Sequence, residues 1–81
     1  MLTITDLSLE TVNKIRMMFK IYVDSEEIEF IEEEGSDLYM MIIKYSVPAK
    51  IEAYVGGKIW LHIGWKLFDL ERNEFGEVKI C

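Results

Sequence analysis

Eighty-one residues, just over half of them apolar, suffice for one small domain (1–81) and argue against disorder. Fifteen Asp and Glu against nine Lys and Arg give a formal net charge of −6, which disfavours direct binding of nucleic acid and points to basic partners. Cys81 is the only cysteine, so neither a disulfide framework nor a thiolate cage can staple a core this thin.

The opening residues lack a basic, apolar leader, and the longest uncharged apolar run, 38–43, is too short to span a bilayer. The expectation is a soluble protein of the cytoplasm (the host cytoplasm if the source is viral) with no membrane partner.

Taken in chain order, the first element is a helix. Ser8 is its N-cap, Glu10 lies in the first turn where the helix dipole favours an anion, and Leu7 with Val12 has the spacing of a hydrophobic staple. Val12, Ile15, Phe19 and Tyr22 recur at helical spacing with Met18 beside them, while Lys14, Arg16 and Lys20 fall on the other face. Asp24-Ser25 ends the element. Residues 27–33 then alternate weakly, Ile28 and Phe30 against Glu27 and Glu29, and Gly35-Ser36-Asp37 is a turn signal.

Residues 38–47 form the strongest strand candidate, with Leu38, Met40 and Ile42 on one face and Tyr39, Met41, Ile43 and Tyr45 on the other, until Pro48 breaks it. Gly56-Gly57 between 51–55 and 58–63 reads as a two-residue hairpin. That turn sets Val55 opposite Lys58, Tyr54 opposite Ile59, Ala53 opposite Trp60 and Ile51 opposite His62. Gly64 marks a bulge or bend before Trp65. The tail, 65–70 and 77–80, is either a last hairpin around residues 73–76 or contains a short helix over 66–72. The fold class that follows is α+β, with one N-terminal helix packed on an antiparallel β-meander of four to five strands.

The charge is concentrated. No Lys or Arg lies between Lys20 and Lys44, and that interval holds Asp24, Glu26, Glu27, Glu29, Glu32, Glu33, Glu34 and Asp37. The rest of the chain carries seven acids against nine bases, so this block supplies the whole negative balance. It is read either as a solvated edge strand protected by like charges or as a docking surface for a basic protein. A metal site is the third reading. As an EF-hand starting at Asp24, however, it would put Ile28 on a ligand position, Glu29 on the required glycine and Gly35 on the bidentate acid.

Other candidate chemistry is sparse. His62 has no second histidine for zinc and no motif that makes it a base, Gly56-Gly57 lacks the residues of a phosphate loop, and nothing near Cys81 in the sequence lowers its pKa. No enzyme activity and no cofactor are expected. Trp60 and Trp65 divide into one core residue and one exposed anchor, the latter assigned to Trp65.

Two function classes follow. The first is an acidic protein-binding module, an inhibitor or neutralising protein of anti-defence or immunity type. It docks a basic partner, such as a nuclease or another nucleic-acid-binding protein, through residues 24–37. Its partner-binding residues are Glu26, Glu27, Glu29, Glu32, Glu33, Glu34, Asp37, Tyr39 and Trp65. The second is a viral or phage assembly protein, a homodimer or higher oligomer built on the apolar strand 38–45.

Overall fold

The computed structural model describes residues 1–53 and 55–81. The elements run β1 (Leu2–Leu7), α1 (Leu9–Met18), α2 (Lys20–Asp24), β2 (Ile28–Glu32), β3 (Tyr39–Ile43), β4 (Ala49–Ala53), β5 (Lys58–Ile63), β6 (Lys66–Arg72) and β7 (Val78–Ile80). All seven strands belong to one sheet in the order β2-β3-β1-β7-β6-β5-β4, which leaves β2 and β4 as the two edges.

The α+β class holds, with more strands than the four or five expected and two helices in place of one. The strand missed is β1. Leu2 and Ile4 point to the core between exposed Thr3 and Thr5, a period-2 pattern too short to stand out before the Ser8 cap. Its pairing skips between Ile4 and Leu7, where Asp6 takes φ 64°, and this bulge returns Leu7 to the core face despite the odd spacing. β1 is antiparallel to β3 but meets β7 in parallel at Leu7 and Val78, so the sheet is mixed and not a pure meander.

Ser8 caps α1 as its sequence position predicts, its Oγ accepting the Thr11 N–H at 3.3 Å. The cap is anchored to the sheet as well: Ser8 N–H and Thr11 Oγ1 both donate to the Val78 carbonyl, at 3.2 and 3.3 Å. Leu7 and Val12 are both fully buried, as a staple requires. The expected single helix divides at Phe19, whose backbone leaves helical geometry at φ −120° and ψ 40°. Its ring is buried beside Tyr22, Trp65 and Phe68, a position that no proline or glycine signals in advance.

One face of the sheet carries the core. Registered triplets across strands share that face: Leu2, Ile43 and Ile28; Ile4, Met41 and Phe30; Ile51, Leu61 and Phe68. Val12, Ile15 and Phe19 of the helical segment complete the single buried cluster.

The register of the β4–β5 hairpin differs by one residue from the expected one. Ala53 pairs with Ile59, Glu52 with Trp60, Ile51 with Leu61 and Lys50 with His62; the expected partner Tyr54 lies outside the described residues. A one-residue slip exchanges the two faces of a strand. A two-residue turn would have set Glu52 against the buried Leu61 and Ile51 against His62 on the outer face. Burial therefore chose the longer loop, and the shifted register takes Val55 out of its expected place opposite Lys58, whose neighbour on the other side of β5 is Glu71 of β6.

Of the two expectations for Gly64 the bend holds and the bulge does not: it is the first residue of a two-residue turn closed by Ile63 and Lys66, with φ 57°. Trp60 and Trp65 are therefore not on one strand. β6 is a strand, so the hairpin account of the tail stands and the rival helix does not. Asn73 builds its turn, with Oδ1 accepting from the Phe75 and Glu77 N–H groups at 2.9 and 3.0 Å. β3 stops at Ile43, short of the expected 47, because residues 44–47 turn and bring Val47 back into the core. Among the described residues no helix is long and apolar enough to cross a membrane.

Candidate functional site

The acidic segment runs from the end of α2 through β2 to the β2–β3 turn. Ser25 ends α2, its Oγ 3.0 Å from the Ile21 carbonyl and 2.6 Å from Glu27 Oε2. Glu26 follows in the left-handed region at φ 62°, which turns the chain so that the Glu27 N–H reaches the Tyr22 carbonyl at 2.8 Å. β2 then lies on the outside of the sheet. Glu27 and Glu33 hydrogen-bond to the β3 side through Lys44 and Leu38. Since alternate residues of a strand point opposite ways, the N–H and C=O groups of Ile28, Phe30 and Glu32 face outward.

The eight acids do not act as one block. Asp24 Oδ2 pairs with Lys20 at 2.6 Å, and Glu29 lies 3.6 Å from Lys44. Glu27 is held below the usual carboxylate range, first by the Ser25 hydroxyl and then by Ser46. Glu33 is turned inward, and its Oε2 accepts the backbone N–H of Asp6 at 2.7 Å. Glu26, Glu32, Glu34 and Asp37 are exposed, and among the described residues they hold no ion pair or side-chain hydrogen bond. A shallow cleft of about 330 Å³ borders this edge between Val23, Glu26 and Phe30, with the Arg16 guanidinium 5.2 Å above the Phe30 ring.

No family model, curated protein or solved structure matches this chain.

Of the remaining site residues expected from sequence, Tyr39 stands directly opposite Glu32 and is half-buried against the core. Trp65 is 82% exposed in the β5–β6 turn, its ring 6.5 Å from Phe19. β6 lies four strand positions from β2, so Trp65 belongs to a different surface from the acidic edge. That second surface includes Met17, Met18 and Ile21, all exposed around the helix break. Sequence reading missed Met17 and Ile21 because an uninterrupted helix gives no reason for apolar residues to gather outside its stripe.

The other reactive side chains are not grouped. His62 pairs with Lys50 and Leu67 across the outer face of the sheet, not with Ile51. Partial burial and then the acids Asp69 and Glu71 push the Cys81 thiol up, away from the thiolate. Among the described residues no three His, Cys, Asp or Glu side chains come together as a metal cage.

Proposed function

We propose that this chain is a non-catalytic protein-binding module that docks a basic partner surface through the β2 edge and the β2–β3 turn. The observation that carries this reading is the set of four exposed acids, Glu26, Glu32, Glu34 and Asp37, which hold no ion pair among the described residues. Carboxylates left in water on an outermost strand are open to Lys and Arg of a second protein, and they steer its approach through long-range attraction. A partner whose basic groove ordinarily holds nucleic-acid phosphates fits this pattern, so the module acts as an inhibitor or neutralising protein of anti-defence or immunity type, in the cytoplasm.

The test is capture from source-cell extract by the full chain and by a variant carrying Glu26→Gln, Glu32→Gln, Glu34→Gln and Asp37→Asn. Glu33 is left intact because it holds Asp6. The expected result is a basic protein bound at low salt and lost both at high salt and with the variant. Equal capture by the variant removes the docking role.

A second reading, a viral or phage assembly protein, has support in the outer face of β3, where Met40 and Ile42 are half-buried beside the exposed Ile31, and in Tyr45, 91% exposed just past the strand. Both main-chain edges of β3 are already paired, so only that face is open to a second copy. Light scattering at high concentration decides it: a strict monomer removes the assembly reading.

A further inference from the structure

β2 is an outer strand of the sheet, and its pairing with β3 runs without a break from Ile28 to Glu32. The bonds of Glu27 with Lys44 and of Glu33 with Leu38, both 2.9 Å, set the phase of that ladder. Ile28, Phe30 and Glu32 therefore turn their N–H and C=O groups away from β3, and among the described residues no strand meets them. An edge of this kind is a template for a further strand unless proline, a bulge or charge blocks it. β2 has no proline, its register has no bulge, and its Ile31 is exposed. Charge is the guard that remains, and it has one sign. Glu32 lies on the strand, Glu26 before it, and Glu34 and Asp37 after it, none in an ion pair among the described residues.

The side chains of Ile28, Phe30 and Glu32 share the core face of β2. On that face the cleft of about 330 Å³ between β2 and the helical segment opens at the sheet edge, bordered by Arg16, Val23, Glu26, Ile28 and Phe30.

We propose that β2 receives an extended basic segment of the partner protein as an added strand. An aromatic side chain opposite Phe30 enters the cleft, and Lys or Arg two residues away meets Glu32. This inference rests on the docking role proposed above and specifies how the partner is held. Three features choose the occupant. A strand satisfies the outward N–H and C=O groups of Ile28, Phe30 and Glu32 together. The free carboxylates favour Lys and Arg on it and repel a second copy of β2, which carries the same acids. Arg16, 5.2 Å above the Phe30 ring, keeps cations out of the cleft and offers a flat guanidinium to a ring. The opposite edge makes no such choice, since β4 carries Lys50 beside Glu52 at 2.8 Å, one charge of each sign.

The test pans a phage-displayed library of random short peptides on the full chain. Recovered peptides are expected to place an aromatic residue two positions from Lys or Arg. They are expected to bind at least about tenfold more weakly to the variant carrying Glu26→Gln, Glu32→Gln, Glu34→Gln and Asp37→Asn. All four acids are exposed, so these changes leave the fold intact. The Phe30 and Glu32 amides of the unaltered chain are expected to become protected from hydrogen exchange when peptide binds. Three results overturn the proposal: no enriched peptide, bound peptides that leave those two amides exchanging as in the free chain, or protection that grows with protein concentration in the absence of peptide, the mark of a second copy. Any of these, alongside capture of a basic protein that the charge variant loses, removes the added strand and leaves the docking role standing. Equal capture and equal peptide binding by the charge variant remove both.

Discussion

The Glu33 carboxylate and the Asp6 backbone N–H are joined at 2.7 Å, so an acid from the end of β2 secures the bulge in β1. From its other side, Asp6 receives a hydrogen bond from Arg72 Nη1 at 2.8 Å, and the same nitrogen donates to the Gly76 carbonyl at 3.0 Å. The bulge thus ties the β2–β3 hairpin to the β6–β7 turn across the strand that the sequence pattern did not reveal.

Glu33→Ala leaves the Asp6 N–H without its partner and is expected to cost about 1–2 kcal/mol of stability. Glu33→Gln keeps an acceptor oxygen and is expected to cost less. Urea denaturation of both variants checks the order, and equal stability of Glu33→Ala and wild type would mean that water replaces the carboxylate without penalty.

Stability is expected to fall on acidification below about pH 4, the unfolded value for an aspartate. Asp6 is held below its ordinary pKa, chiefly by the Arg72 hydrogen bond. A group lowered by folding stabilises above its unfolded pKa and loses that contribution as pH falls through its folded pKa. Glu27, lowered chiefly by Ser25, and Glu52, lowered chiefly by Lys50, respond in the same direction near their own unfolded values, so the slope is shared. Asp6→Asn is expected to flatten it in part, with the gap to wild type present at pH 6 and closed at pH 2. A constant gap across that range in denaturation midpoints would assign the effect to something other than the charge.

Glu26→Gly is expected to stabilise the free protein by up to about 1 kcal/mol, because glycine takes φ 62° without the left-handed penalty but loses more chain entropy. Under the proposed function the same change weakens partner binding. Thermal denaturation together with the capture assay separates the two effects.

Phe19→Ala is expected to cost about 3–5 kcal/mol, since the ring is 6% exposed at the centre of the Tyr22, Trp65 and Phe68 group. Trp65→Ala touches the same ring from outside and is expected to cost under about 1 kcal/mol, most of its surface being already in water. Chemical denaturation of the pair measures the contrast. A large loss for Trp65 would make it a core residue and weaken its use as a docking anchor.

Local chemistry was legible in the sequence. Ser8 as a cap, Asp24-Ser25 as a helix end and the turns at 35–37 and 73–76 rest on hydrogen bonds and backbone preferences that act within a few residues. The acidic block was equally visible, because charge is additive along a chain. What only the tertiary structure decided is where distant segments meet. β1 is a strand because β3 and β7 flank it, the β4–β5 register follows which residues the core accepts, and the helix divides where Phe19 turns into an aromatic group. The division of eight acids into internal partners and free carboxylates belongs to the same class. Glu33 differs from Glu32 and Glu34 through contact with Asp6, 27 residues earlier in the chain, and no local pattern encodes that encounter.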